Sequence, residues 1–589
     1  MATKWFHKSI AYQIWPASFR DSNGDGVGDI EGIISKLSYL KETLSIDMLW
    51  LSPIYDSPQK DMGYDVSDYE SIYHKYGTLD DFARLVRECK DRGIRVVMDL
   101  VVNHTSDQHK WFLESKRNRA GKYADFYHWR CPKYDAEGKR HPPNNWRTGS
   151  RYGKSCWTYV DERDQYYFHF GAPHQPNLNW STHETREEIY ESAAAFWLRR
   201  GVDGFRMDLV GFYWKDSNFP DAKVVYPDER LQPLDGQYCH NGSDVHVWLK
   251  EWRRKVHQDF GQDIVLIGEL PGTGRDEFLR FIAPGTEELD MALDTDIFIT
   301  GNNWVDALYE LKKPELPLLK DAVLKTQSML DEGAWPTVFL ENHDFARSVS
   351  RFGPGDGPHR DDAAKMLALM ACTLSGTLFI YQGQEIGMTN VPPHWRKSEF
   401  RDNADLDNIE DIDEKKAPGL REKSEKALVT WGRDNGRTLM QWSGETHAGF
   451  SEGEPWIGVN DNYQEVNVTN QIDRQDSVLA FWKHLVRVRK DYWEFLGRGR
   501  FQLLDRDEQQ TMSYIKTNDE KTEQLLVVLN FSADEASVSI DGDRFKLLIS
   551  TCASAEEEPE GVVKLQPWEG RLYQGAPPDE SKAGGRLQV

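Results

Sequence analysis

From residue 11 onward, short apolar runs rich in Val, Ile and Leu alternate with longer stretches in which apolar positions recur every three or four residues. Runs of the first kind read as strands buried on both faces. Their alternation with helical periodicity predicts βα units around a parallel sheet. Eight runs qualify: "AYQIWP", "MLWLSP", "IRVVMDLVV", "GFRMDLV", "IVLIGEL", "LDMAL", "TVFLEN" and "TLFIYQG". Helices are expected over "DIEGIISKLSYLKETL", "TLDDFARLVRECKDRG", "TREEIYESAAAFWLRRG", "SDVHVWLKEWRRKVHQDFG" and "DDAAKMLALMACTLSG", several ending in Gly as helix C-termini do. Eight strands with intervening helices predict an α/β chain built on a closed (β/α)8 TIM barrel.

The alternation is interrupted between the third and fourth strands, where residues 105–176 are rich in Tyr, Trp, Arg, Gly and Pro. A connection of that length predicts an inserted lid subdomain. A second irregular, acidic stretch runs from about Met388 to Ser477, before "SVLAFWKHLVRVRKDYWEFL" closes the barrel. From Arg500 the period becomes two, in "RFQLLD", "TMSYIK", "QLLVVLNFS", "ASVSI", "FKLLIS" and "VVKLQPWEGRLYQ", which predicts a C-terminal antiparallel β domain. The expected organisation is a catalytic barrel over 1–104 and 177–499, a lid over 105–176, a β domain over 500–576 and a disordered tail over 577–589.

A length of 589 residues accommodates such a barrel with smaller domains beside it. The formal net charge of -24 would repel a phosphate backbone or an anionic lipid surface, so neither nucleic acid nor membrane is expected as a partner. Cys89, Cys131, Cys156, Cys239, Cys372 and Cys552 are scattered, forming neither a disulfide framework nor a zinc spacing. With no apolar signal core in "MATKWFHKSIAYQIW" and no unbroken spanning segment, a soluble cytoplasmic protein is expected. The 21 tryptophans add packing mass and faces suited to the C–H faces of sugars.

Candidate chemistry gathers where the strands end. "VVMDLVVNH" carries Asp99 and His104, "GFRMDLV" carries Arg206 and Asp208, "IVLIGEL" carries Glu269, and "TVFLENHD" carries His343 and Asp344. In a barrel those ends converge on one mouth, where such folds keep their active sites. Buried carboxylates cost stability unless paired, so a cluster of them points to use. Arg206 and Asp208, two apart on a strand, share a face, and the guanidinium favours an ionised, nucleophilic Asp208. Glu269, between Gly268 and Leu270, is expected in a more apolar setting that keeps it protonated. Such a pair suits retaining glycoside hydrolysis, in which one acid attacks the anomeric carbon and the other shuttles the proton across about 5–5.5 Å. Asp344, with His343 and His104 as donors, would grip sugar hydroxyls as the ring flattens.

These segments together resemble the α-amylase superfamily, and within it the exo-acting α-glucosidases of the oligo-1,6-glucosidase and maltase type. The likeness covers nearly the whole chain and rests on "DLVVNH", "GFRMDLV", "IGEL", "ENHD", "QPNLNW" and "LSPIYDSPQKDMGYD". It implies removal of terminal non-reducing α-linked glucose from short oligosaccharides of the isomaltose or maltose type, through a covalent glucosyl-Asp208 intermediate. Glu269 is then the acid/base and Asp344 the transition-state stabiliser. The resemblance also puts Asp61, Tyr64, His104, Arg206, Leu209, His343 and the Arg437 of "GRDNGRTLMQW" around the glucose, with an Asp61–Arg437 pair closing the pocket floor. A transglucosylase or sucrose-acting enzyme would use the same intermediate and is the alternative. A non-enzymatic amylase-like binding protein would lack a catalytic acid or carry a membrane segment. Oligomeric state is not legible.

The stretch "DSNGDGVGDIEG", residues 21–32, spaces oxygen-bearing side chains like a calcium loop but ends in Gly32 where an EF-hand needs glutamate. The resemblance implies structural Ca2+ bound through Asp21, Asn23, Asp25, the Val27 carbonyl and Asp29. A metal-free Asx turn with Asp29 capping the next helix is the other reading. Elsewhere the chain departs from the family pattern. Asn177 stands where relatives commonly have Asp, "ENHDFAR" replaces "NNHDQPR", and Leu209 follows Asp208 where Val accompanies α-1,6 and Thr or Ala α-1,4 preference. By its size, Leu209 leans toward isomaltose-type substrates.

Overall fold

The computed structural model describes residues 3–148, 152–234, 236–302, 309, 312, 314–520, 523–540, 545–552 and 561–575. All eight predicted runs form strands: β1 (Ile10–Ile14), β2 (Met48–Leu51), β3 (Arg95–Leu100), β4 (Gly204–Met207), β5 (Val265–Glu269), β6 (Met291–Leu293), β7 (Thr337–Val338) and β8 (Thr377–Tyr381). They make one parallel sheet in the order β6-β5-β4-β3-β2-β1-β8-β7. At the seam between β6 and β7, the Thr337 hydroxyl donates to the Ala292 carbonyl at 2.8 Å, so a side chain spans the last gap of the barrel.

Alternation along the strands divides the core in two. Ala11, Met48, Trp50, Val97, Val265, Ile267, Met291, Leu293 and Phe379 pack together inside the barrel. Tyr12, Leu49, Leu51, Val96, Met98, Phe205, Met207 and Leu266 join the larger cluster toward the helices. Period two therefore carries Asp99 to the interior after Val97, and Glu269 after Ile267, where the apolar filling gives way to charge. In register, Arg206 lies beside both Asp99 and Ile267. Met207 lies beside Gly268, so one step further Asp208 stands level with Glu269.

The expected helices form, among them Leu79–Asp91, Ser243–Phe260 and Arg360–Thr373. Thr78 begins the first with a reciprocal capping box to Asp81, and Gly261 ends the second at φ 92°, a left-handed step that glycine takes without strain. After β3 the chain leaves the barrel at a bridge between His104 and Asn177. The excursion holds helix Lys110–Arg117 and an antiparallel trio, Trp157–Val160, Gln165–Phe168 and Trp129–Arg130. Trp146, Cys156, Trp157 and Phe168 from it pack with Phe219.

At the C-terminus, β9 (Arg500–Leu503), β10 (Thr511–Thr517), β11 (Gln524–Asn530), β12 (Phe545–Ser550) and β13 (Gly570–Gly575) form an antiparallel sheet in the order β9-β10-β11-β13-β12. The Thr373 and Tyr514 hydroxyls meet at 2.5 Å where this sheet docks on the barrel. The tail expected over 577–589 lies outside the described residues.

Candidate active site

One guanidinium organises the mouth. Arg206 Nη1 donates to Asp99 Oδ1 at 2.7 Å and to Asp208 Oδ1 at 2.8 Å, while Nη2 reaches Glu269 Oε1 at 2.8 Å. The backbone explains the convergence, since these residues stand side by side in register on β3, β4 and β5. All four side chains are at most 9 % exposed, so three carboxyl groups share one cation in a dry setting. The charges do not balance, and the cluster is built to hold a proton.

Burial pushes Asp208 up to about 7, with Arg206 pulling down and Asp99 pushing up. Burial likewise lifts Glu269 to about 7 against the pull of Arg206, and Asp99 to about 6. This corrects the expected asymmetry. Glu269 is lifted by burial and by the charges of Asp208 and Asp344, as expected, but it shares the guanidinium with Asp208, which burial lifts just as far. What distinguishes the two acids is the chain at Leu209, which adopts φ 45°, ψ 42°, an uncommon left-handed conformation for a branched side chain. That kink aims the Leu209 N–H at Glu269 Oε2, 3.1 Å away.

Asp344 has the opposite environment. Burial alone would raise it, but the charges of Arg433, Arg437 and Arg206 outweigh burial and hold its carboxyl far below the usual range. Arg433 Nε and Nη2 donate to Asp344 Oδ1 at 2.9 and 2.7 Å. Arg433 Nη1 also lies 3.4 Å from Asp61 Oδ1. The guanidinium that joins Asp61 to the site is therefore that of Arg433, correcting the expected Asp61–Arg437 pair. Arg437 is fully buried one helical turn away, on Asp402 at 2.7 Å and Asp344 at 3.3 Å. The signal for Arg433 lay in the same motif: it precedes the turn Asp434–Arg437 that Arg437 ends, so the two arginines, four residues apart, share a face toward Asp344. Gly436 lets that turn approach, because a Cβ there would sit 2.8 Å from the Asn342 and Phe345 carbonyls.

Asp61 is held by its own loop. Buried Asp65 accepts from the Lys60 and Asp61 amides and from Ser57 Oγ, and Gln175 Nε2 donates to Asp61 Oδ2 at 2.7 Å. Tyr64, from the same loop, stacks on His343 with ring centres 5.2 Å apart and planes 4° apart. Its hydroxyl meets His343 Nε2 at 2.7 Å and Asp99 Oδ2 at 2.9 Å. His343 Nδ1 faces the Gln13 amide at 2.8 Å, and burial keeps the ring neutral. His104 Nε2 lies 2.8 Å from the Tyr64 carbonyl and Nδ1 3.2 Å from Asn103 Nδ2. Without a sugar present, His343 and His104 turn their ring nitrogens to protein partners, which fixes both rings at the mouth.

The departures from the family pattern find partners. Asn177 is fully buried, accepts from Phe170 N and donates its amide to the Asn103 carbonyl at 3.1 Å, a bond an aspartate could not donate. Glu341 of "ENHD" accepts from Ser348 N at 2.9 Å and from Arg347 Nη1 at 3.2 Å.

In the 21–32 loop, Asp21 accepts from the Asn23, Gly24 and Gly26 amides and from Ser451 Oγ. Asn23 and Asp25 each accept the amide two residues on, and Asp29 caps helix Ile30–Ser35 through Gly32 N at 2.6 Å. The Asx turns and the cap of the metal-free reading are therefore present. The donors are nonetheless hard oxygens suited to calcium, and Lys75 Nζ pairs loosely with Asp25 at 3.7 Å. Elsewhere among the described residues, His183, Glu187 and Glu251 bring ligand atoms within 4.8 Å of one another, but Lys255 and Arg186 already pair with those carboxylates.

The model of the alpha amylase catalytic domain matches residues 13–499. The chain is 42% identical over 579 residues to an α-glucosidase of Candida albicans, covering 97% of this chain and 99% of that protein. It is 39% identical over 582 residues to an oligo-1,6-glucosidase of Bacillus cereus, covering 97% and 100%. Among solved structures, isomaltulose synthase from Erwinia rhapontici NX5 superposes with a TM-score of 0.90 at 36% identity, over 98% of this chain and 100% of that one. Trehalose-6-phosphate hydrolase of Bacillus licheniformis does so with a TM-score of 0.86 at 37% identity, over the same shares.

Proposed function

This chain belongs to the α-amylase family, and on that premise we propose that it is an exo-acting α-glucosidase, releasing terminal non-reducing glucose from short isomaltose- or maltose-type oligosaccharides. The observation that carries this reading is the Arg206 guanidinium bridging Asp208 and Glu269 at 2.8 Å each, opposite an ionised Asp344. In the retaining mechanism we assign, Asp208 attacks the anomeric carbon as the C–O bond breaks, and the leaving oxygen takes the proton of Glu269. Glu269, now a carboxylate, takes a proton from water as that water displaces glucose from Asp208. Two buried acids lifted to about 7 beside one arginine favour a state holding one proton between them at neutral pH. The Leu209 amide aimed at Glu269 orients that acid.

Asp344 accepts bonds from glucose hydroxyls, and its pairing with arginines keeps it charged for that purpose. Asp61 and Arg433, joined at 3.4 Å, close the far end of the glucose site, which accounts for exo action. Structural Ca2+ would be held by Asp21, Asn23, Asp25, Val27 and Asp29, where it would stiffen the loop before the first barrel helix. A cytoplasmic location fits the buried free thiols of Cys89, Cys156 and Cys372, and no described helix is long and apolar enough to cross a membrane.

Hydrolysis of maltose, isomaltose, sucrose and p-nitrophenyl α-glucoside, with product anomers followed by NMR, tests this reading. First-formed α-glucose is expected; first-formed β-glucose, or no release from any of the four, overturns it. The similarity to an isomaltulose synthase favours one second reading, sucrose isomerisation. Isomaltulose rather than glucose and fructose would select it.

A further inference from the structure

Lys215 lies seven residues beyond Asp208 and is 6 % exposed. Its Nζ donates to the Phe212 carbonyl and to Asn103 Oδ1, the latter at 3.3 Å, and sits 5.8 Å from the Phe168 ring centre. No carboxylate pairs with it among the described residues. A buried ammonium without a counter-ion opposes folding, because its charge has been taken out of water, and its place beside the mouth calls for a reason.

The reason lies in the direction of the hydrogen bonds. An ammonium can only donate, so Asn103 must turn its Oδ1 to Lys215. That leaves Asn103 Nδ2 facing His104 Nδ1 at 3.2 Å, and an amide NH2 can only donate. His104 Nδ1 is then the acceptor and the ring proton sits on Nε2. There it meets the Tyr64 carbonyl at 2.8 Å, a group that can only accept. Both ends of the chain enforce the same polarity. Asn103 is further pinned by its carbonyl, which accepts from Leu178 N at 2.9 Å and Asn177 Nδ2 at 3.1 Å.

We propose that Lys215 is a positioning residue for the glucose site, fixing His104 as the neutral Nε2–H tautomer through Asn103 and tying the Tyr64 backbone to the turn that follows Asp208. Its two bonds reach two elements of the mouth. Phe212, whose carbonyl it holds, closes the turn begun at left-handed Leu209 through Phe212 N to Leu209 O at 2.8 Å. Tyr64, at the other end of the chain, carries the hydroxyl between His343 and Asp99. The titratable groups facing Lys215 are His104, His128 and His240, whose protonation it opposes, and Cys239. Burial, with Lys215 adding to it, holds His104 near 4.

The inference rests on the α-glucosidase reading, and its test keeps the two apart. Lys215→Met keeps the length and apolar stem. It is expected to stay folded by circular dichroism while losing kcat/KM by roughly 10²-fold, the scale of a small misplacement in a reacting site. Asn103→Asp gives Lys215 a counter-ion but turns an acceptor toward His104 Nδ1. It is expected to raise the His104 pKa from near 4 into the range of an ordinary histidine, about 6.5. That titration is read by NMR of the imidazole and as a new limb in the pH–rate profile. Should Lys215→Met fail to fold, Asn103→Asp decides. Wild-type kcat/KM in a folded Lys215→Met, or a His104 ring still neutral from pH 5 to 8 in Asn103→Asp, overturns the inference. Absence of glucose release by the wild-type protein would instead remove the functional reading, leaving the NMR titration as the test of the tautomer.

Discussion

Arg206 Nη2 lies 2.8 Å from Glu269 Oε1, so the cation that the sequence pattern assigned to Asp208 serves both acids. A guanidinium favours the charged form of each carboxyl, and its removal moves both titrations upward. With Asp208 and Glu269 each lifted to about 7, activity rises as Asp208 ionises and falls as Glu269 loses its proton. The expected kcat/KM profile is a bell near neutral pH whose limbs are macroscopic constants of the pair. Arg206→Met is expected to shift both limbs to higher pH and lower kcat by about 10²–10³-fold. An unmoved bell would show that the arginine does not set these protonation states.

Glu269→Gln separates activity from stability. The folded-state pKa of Glu269 is raised above its unfolded value, so between about 4.5 and 7 the folded chain holds a proton that the unfolded chain does not. Stability from this group is thus full below the unfolded value and is lost as pH rises through 7. An amide cannot ionise, and the variant avoids that loss. At about 1.4 kcal/mol per pKa unit, the rise from 4.5 to about 7 puts the gain at roughly 3 kcal/mol. Thermal unfolding is expected to show Glu269→Gln more stable than wild type at pH 8, with the difference vanishing toward pH 4, while kcat falls by several orders of magnitude. Equal melting temperatures at pH 8 would count against the buried, lifted acid.

Most of the barrel was legible because a strand buried on both faces leaves an uninterrupted apolar run, and all eight such runs became strands. The acids at their ends were legible for the same reason, since the register of β3, β4 and β5 carries Asp99, Arg206 and Glu269 to one interior face. What was not legible came from long connections. No periodicity relates Asp61 in the loop after β2 to Arg433, 372 positions on, and two arginines four apart offered equal candidates. Nor does a sequence show that His104 and His343 meet protein acceptors before any sugar arrives.

The two arginines make a contrasting pair of variants. Both arginines reach Asp344 and Asp402, but Arg433, 22 % exposed, also joins Asp61 at the edge of the glucose site, whereas Arg437 is fully buried. Arg433→Met is expected to weaken kcat/KM for isomaltose by roughly 1.5–3 kcal/mol, the worth of hydrogen bonds to charged groups. Its melting temperature should change little. Arg437→Met removes the fully buried partner of Asp402 and leaves it only Arg433 at 3.2 Å, so it is expected to lose more stability than Arg433→Met, up to about 3 kcal/mol. Denaturant unfolding together with steady-state kinetics reads both. The reverse pattern would restore Arg437 as the residue that closes the pocket.

Leu209 links strain to linkage preference. At φ 45° a β-branched residue is less tolerated than leucine, so Leu209→Val is expected to unfold more easily, by about 1 kcal/mol. On the proposed reading its side chain borders the leaving sugar, and a one-methylene change there would alter discrimination by at most about 10–200-fold. The ratio of kcat/KM for isomaltose to that for maltose, compared among Leu209, Val and Thr forms, measures the effect. A ratio identical in all three would place linkage choice elsewhere in the mouth.

The 21–32 loop offers a test that separates metal binding from loop architecture. Asp21 is the wrong residue to change, because its carboxylate accepts three amides and Ser451 Oγ whether or not a cation is present. Asp25 is better placed: it accepts only from Val27 N at 2.9 Å and faces Lys75 at 3.7 Å. Asp25→Asn retains the accepting oxygen and removes one of the charges a calcium ion would need. A ligand that binds only the folded state raises stability by mass action, so millimolar Ca2+ is expected to raise the melting temperature of the wild-type chain and a chelator to lower it. In Asp25→Asn that response should shrink while the metal-free melting temperature stays near wild type. Identical melting with calcium and with chelator in the wild-type chain would leave the Asx turns and the Asp29 cap as the whole of what this loop does.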